Sequence, residues 1–249
     1  MKLKTFLIFL VLIMPTLVFG ADTIPIPKIN IGITPSTNPS DVSTTLQILL
    51  LLTILTLAPS IIIMMTSFTR IVIVLHFVRQ ALGTQQMPPS QILVGLSLFL
   101  TFYIMSPVIK DINNNALQPY LNEKITQKQA FENAIKPLRK FMLKQTKKSD
   151  LALFVSLSRD KHKPKTIKDV STLTIIPAFI ISELKTAFEM GFLIYIPFLV
   201  LDMVVASVLL SMGMMMLPPV MVSLPFKIIL FVLADGWHLL VGSLIKSFY

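Results

Sequence analysis

Two stretches of this chain, Thr44–Thr69 and Ser90–Ile109, contain no charged residue and no histidine. Each is long enough as a helix, at about 1.5 Å per residue, to cross the roughly 30 Å of hydrocarbon in a bilayer. Backbone placed in lipid must satisfy its own hydrogen bonds, so such segments are restricted to helices or closed barrels. Pro59 is a candidate kink in the first. The remaining composition agrees with membrane insertion: 54% of the 249 residues are hydrophobic, 14% are charged, and the mean hydropathy is +0.77. Such a balance is too apolar for a soluble domain. No cysteine is present, which excludes disulfides, thiol chemistry and Cys-ligated zinc.

The flanks define an organisation. Lys2 and Lys4 precede the apolar run Phe6–Phe19, and Gly20 supplies a small residue where a signal peptidase cuts. Residues 1–20 therefore read as a signal peptide, with a first membrane anchor as the alternative. Residues 21–43, with Pro25, Pro27, Pro35 and Pro39, read as a flexible extracytoplasmic tail. Residues 44–109 read as a two-helix membrane hairpin. Arg70, His76 and Arg79 form a short basic connection between its spans, which the positive-inside rule places in the cytoplasm.

Of the 22 basic residues, 14 lie between Lys110 and Lys168, so most of the +10 net charge belongs to one insert. No nucleic-acid-binding signature accompanies it. Residues 110–170 read as a small helical extracytoplasmic domain. Thr126 and Gln129 are spaced as a capping box, Pro137 suits the first turn of a second helix, and Ser149 suits the cap of a third.

Residues 171–249 read as C-terminal helical hairpins, yet they carry Glu183, Lys185, Glu189, Asp202, Lys227 and Asp235. Lys185 and Glu189 are spaced as an i,i+4 pair, and Asp235 and His238 as an i,i+3 pair. Glu183 and Asp202 stand alone among apolar neighbours, where a carboxylate needs a partner, a pore or a proton. Lys227, just past Pro225, is a candidate partner, with snorkelling to the interface as its alternative. Either the acids line an ion or proton path, or they form ion pairs within an assembly. Ser207, Ser211 and Gly213, small enough for close helix approach, favour assembly.

Between Ser211 and Pro219 the chain reads SMGMMMLPP. Met214, Met215 and Met216 are unbranched and rotamer-rich, and Pro218-Pro219 stops a regular helix behind them. The run is a compliant apolar plug at a bend. Known site chemistry is absent: no phosphate loop, no HExxH, no GxSxG, and His76, His162 and His238 lack ligand spacing. The expectation is a protein that is not an enzyme and needs neither cofactor nor metal.

The stretch Thr56–Val108 resembles the FliP family of flagellar biosynthesis proteins. PAFIISELKTAFEMGF, Pro177–Phe192, is similar to the first signature of that family, and IPFLVLDMVVASVLLSMGMMMLPP, Ile196–Pro219, to the second. PLRKFMLKQTKKSDLALF, Pro137–Phe154, is similar as well. The resemblance covers nearly everything after Leu46. It implies an all-α membrane-inserted protein that acts as a core subunit of the type III export gate. Unfolded flagellar subunits would cross it, in a helical hetero-oligomer of about five copies with FliQ- and FliR-type subunits. FlhB- and FlhA-type proteins would adjoin it in the inner membrane, at the flagellar basal body. Met214, Met215 and Met216 would form a gasket around the closed channel. Glu183 falls where the family makes an inter-subunit ion pair, and Asp202 and Lys227 match family positions too. Homologous injectisome gates and proton or solute transporters are the competing readings.

Overall fold

The computed structural model describes residues 39–84, 86–158, 164, 166–214 and 216–249. The expected signal peptide, most of the expected tail, the 159–163 linker and Met215 lie outside the described residues. Regular structure among the described residues is entirely helical. In chain order it runs α1 (Pro39–Met64), α2 (Phe68–Leu82), α3 (Ser90–Ile112), a π-helical turn (Asn113–Leu117), α4 (Gln118–Leu121), α5 (Gln127–Gln145) and α6 (Lys148–Leu157). A 3-10 turn (Ile167–Asp169) then leads to α7 (Thr172–Ser211), α8 (Pro219–Leu233) and α9 (Gly236–Lys246). The chain divides into a unit ending at Leu51, whose described part is the start of α1, and a larger unit, Leu52–Tyr249.

Three helical stretches among the described residues are long and apolar enough to cross a membrane: Leu46–Met64, Ser90–Leu121 and Thr172–Ser211. A fourth arises if α8 and α9, bent by 64°, act as one broken span.

The region expected to be a short basic connection is instead α2, a helix of 15 residues. Its buried residues, Arg70, Ile71, Val74, Leu75, Val78, Ala81 and Leu82, recur at helical spacing and form one continuous face. Burying that face requires a partner, and α2 packs along α7. Ala187 and Gly191, one turn apart, form the small-residue patch that α7 turns to α2, while Ser182, on the other side of the helix, meets α6. At Gly191 a Cβ would stand 2.5 Å from the ring of Phe77, so only glycine permits this approach. Phe77 also meets Phe188 edge to face at 5.3 Å.

Other boundaries differ from expectation for local reasons. The first charge-free stretch stops at Met64 rather than Thr69, with a break over Met65–Ser67 before α2. Pro137 lies inside α5 and does not start a new helix; its lost backbone bond is offset by packing, since Pro137 and Met142 are both buried. The Thr126–Gln129 capping box is present, with Gln129 N–H donating to Thr126 Oγ1 at 3.4 Å and Thr126 N–H to Gln129 Oε1 at 3.0 Å. The cap of α6 is Lys147, two residues before the Ser149 suggested by side-chain type. The first half of the expected C-terminal hairpins is one 40-residue helix, α7, about 60 Å long, with Pro177 and Pro197 inside it.

Candidate functional site

Three polar clusters sit against α7, and each joins residues far apart in the chain. In the first, α2 presents Arg70 to Glu183 of α7. Arg70 Nε donates to Oε2 at 2.9 Å and Nη2 to Oε1 at 2.5 Å, a bidentate fork. The two side chains are 3% and 0% exposed, so the pair is fully withdrawn from solvent. Further acceptors complete the guanidinium. Nη1 donates to Ser247 Oγ at 2.9 Å and to its carbonyl at 3.1 Å, and Nη2 reaches Gln145 Oε1 at 3.1 Å. The Phe248 ring covers the guanidinium at 4.0 Å and stacks on Phe141 at 6.2 Å. Arg70 was expected as a charge of a cytoplasmic loop. It is instead a buried helical residue, because its neighbours at i+1, i+4 and i+5 are core.

The second cluster joins α6 to α7. Asp150, 2% exposed, accepts from Ser182 Oγ at 2.7 Å and pairs with Lys185. Ser182 Oγ in turn accepts from Lys147 N–H at 3.0 Å. Lys147 Nζ reaches Glu189 at 2.8 Å. Lys185 and Glu189 are therefore not paired with each other as their i,i+4 spacing suggested; α6 offers each a partner with better geometry. The Lys185 and Ser182 hydrogen bonds hold the Asp150 carboxyl below the usual aspartate range. A carboxyl lowered in the folded state contributes stability that is present above its unfolded pKa of about 3.9 and is lost as pH falls through the folded value. The thermal midpoint of the detergent-solubilised chain is thus expected to fall below about pH 4. Asp150→Asn should lower the midpoint at pH 7 and flatten that acid limb. A variant with the wild-type acid limb would place the sensitivity elsewhere.

The third cluster lies between α7 and α8. Lys227, 2% exposed, donates to Asp202 Oδ2 at 2.6 Å, and Ser223 Oγ donates to the other oxygen of Asp202. The ammonium stands beside Gly83, the left-handed residue (φ +72) that ends α2. A cation near a helix C-terminus is favourably placed against the helix dipole. Asp235 and His238, spaced to pair, are joined by no hydrogen bond or ion pair among the described residues. Asp235 occupies the bend between α8 and α9 at φ +48, outside helical geometry.

The methionine run is the tip of the α7–α8 hairpin. Gly213 (φ +75) closes α7 with its N–H on Leu210 O at 3.0 Å, while Met214 N–H reaches Leu209 O at 2.9 Å. This is a Schellman cap, and the left-handed residue it needs favours glycine. Met214 is 42% exposed and Met216 is 99% exposed, so the cap lifts the tip clear of its own chain.

Arg79 stands in the last turn of α2 and donates to Ser90 Oγ at 2.9 Å. Missing from the sequence-based candidates are Gln145, Asp150, Ser247 and Phe248. Their only local signal is polarity or aromaticity, and nothing in the sequence ties them to α2 or α7.

Long apolar helices whose buried charges pair across helix contacts define a membrane-embedded helical protein. The FliP family profile matches residues 51–244. The flagellar biosynthetic protein FliP of Bacillus subtilis is 58% identical over 218 residues, covering 88% of this chain and 98% of that protein. FliP of Aquifex aeolicus is 53% identical over 82% of this chain and 85% of its own length. FliP of Caulobacter vibrioides is 54% identical over 81% and 76%. The chain belongs to the FliP family of flagellar biosynthetic proteins.

Proposed function

We propose that this chain is the channel-forming subunit of the flagellar type III protein export gate, and that the α7–α8 tip is its closing surface. The observation that carries the reading is the tip itself, where Met214 and Met216 stand exposed on a rigidly capped turn. Apolar side chains held in the open are matched by copies of themselves. A ring of about five chains, with FliQ- and FliR-type subunits, would bring the tips together as a collar. Methionine suits such a collar because it repacks around varied side chains at low cost, so an unfolded flagellar subunit can pass and the gap can close behind it. FlhB- and FlhA-type proteins would adjoin the assembly. The location is the inner membrane at the flagellar basal body, with residues 110–170 outside the cytoplasm. Glu183 and Asp202 each have a cation partner within the chain, Arg70 for Glu183 in place of the inter-subunit partner the resemblance implied, and acids held in this way argue against a carrier that must leave them free to load and release protons.

Replacing Met214, Met215 and Met216 together by glycine tests the reading. The assembled complex, reconstituted in vesicles, should leak small ions where the wild type does not. An unchanged barrier would reduce the methionines to packing filler.

A further inference from the structure

Between Asp41 and Asp111 the chain contains no acidic residue, yet α2 carries Arg70, His76 and Arg79. Folding brings Glu183 to Arg70 from α7. Nothing equivalent reaches Arg79 among the described residues. Its Nη1 donates to Ser90 Oγ at 2.9 Å and Pro88 O at 3.5 Å, both neutral acceptors. A guanidinium carries five donors. The Nε and Nη2 groups of Arg79 have no acceptor among the described residues. With no carboxylate among the described residues, the free N–H groups of Arg79 are open to an anion from outside the chain.

The surroundings indicate which anion. Arg79, His76, Gln80 and Gly83 line an open pocket of ≈ 340 Å³. Through His76 and Gln80 it continues into a groove of ≈ 310 Å³, walled by Val72, Ile73 and Phe77 and predominantly apolar. One end thus offers an uncompensated cation and a side-chain amide, and the other an apolar trough along the same helix.

We propose that this pocket and groove hold one anionic phospholipid, its phosphate on Arg79 with Gln80 beside it and an acyl chain along Val72, Ile73 and Phe77. A free phosphate would use the pocket and leave the groove empty. A zwitterionic lipid would fit the groove but bring a second cation to Arg79. The net negative charge selects the lipid.

The test is native mass spectrometry of the delipidated full chain in detergent, given phosphatidylglycerol and phosphatidylcholine at equal concentration. Phosphatidylglycerol should be retained about fivefold more, the discrimination expected of one basic contact near a membrane surface. Arg79→Ala should remove that preference. Arg79→Gln, which can still bond Ser90, should remove it too and serves if the alanine variant fails to fold. Lys246→Ala, which deletes an exposed cation elsewhere, should leave it intact. Equal retention of the two lipids, or a preference that survives in both Arg79 variants, overturns the proposal. So does an equal loss in Lys246→Ala, which would mark non-specific attraction. Displacement of the lipid by millimolar inorganic phosphate overturns it as well, by assigning the site to the free ion.

Discussion

Glu183→Ala is expected to destabilise the folded chain by about 3–5 kcal/mol, among the largest effects available to a single substitution. The reason lies with the partner left behind. Arg70 stays charged in any protein environment, and its side chain is 3% exposed. Without Glu183 it would keep Ser247, Gln145 and the Phe248 face, all neutral, to offset a desolvated cation. Removing both charges is a different experiment. The double exchange Arg70→Met with Glu183→Leu should recover much of the loss, because the large cost is the unpaired charge rather than the absent pair. Thermal unfolding of the solubilised chain, together with the yield of assembled complex, checks both statements. A Glu183→Ala protein with the wild-type midpoint, full assembly and no export would instead assign Glu183 to a proton path.

Asp202→Ala is expected to cost about 2–4 kcal/mol and to loosen the hairpin that carries the methionine tip. Lys227 is the more deeply buried member of this pair, at 3% against 23% for Asp202, so removing the acid leaves the more deeply buried charge stranded. The loss should fall below that at Glu183 because the acid end of the pair already meets solvent. Ser223, which donates to Asp202, would keep only the Val220 carbonyl, at 3.1 Å, as its acceptor. Lys227→Met should be milder than Asp202→Ala, since a partly exposed carboxylate with Ser223 beside it tolerates being unpaired. Thermal midpoints of the two variants decide the order, and a reversal would mean that Lys227 reaches water once its partner is gone. Loosening should also be local. Proteolysis at the tip should rise in Asp202→Ala, while the α6–α7 contact through Asp150 and Ser182 stays intact.

Legibility in the sequence followed the range of the interaction. Hydropathy marked the two charge-free helices correctly in kind, and only their ends moved. Thr126 with Gln129 named a real capping box because capping is settled within four residues. Pro218-Pro219 likewise marked a real turn, while Gly213, read as a point of close helix approach, is instead the left-handed cap of α7. Arg70, His76 and Arg79 do not form a connection, because the apolar residues Ile71, Val74, Leu75 and Val78 between them recur at helical spacing and make a buried face. Helical periodicity in that segment was available and sufficient. Lys185 and Glu189 fail to pair for the opposite reason. Their spacing is ideal, but Asp150 and Lys147 arrive from α6 and take both.

By itself the sequence determined which segments must be helical and lipid-compatible, where the methionine run must turn, and to which family the chain is similar. Each of these follows from local composition, from spacing within a turn or two, or from extended motifs. Only the tertiary structure decided that Glu183 belongs to Arg70, Asp202 to Lys227 and Asp150 to Lys185. Desolvation demands that a buried charge find an opposite one, but it does not say which. The choice was made by the approach of α6 at Ser182 on one side of α7, and on the other side of the same helix by the approach of α2 at Ala187 and Gly191, where small side chains let two backbones close. That same approach left Arg79 on the outer face of α2, a cation whose acid is not supplied from within the described chain.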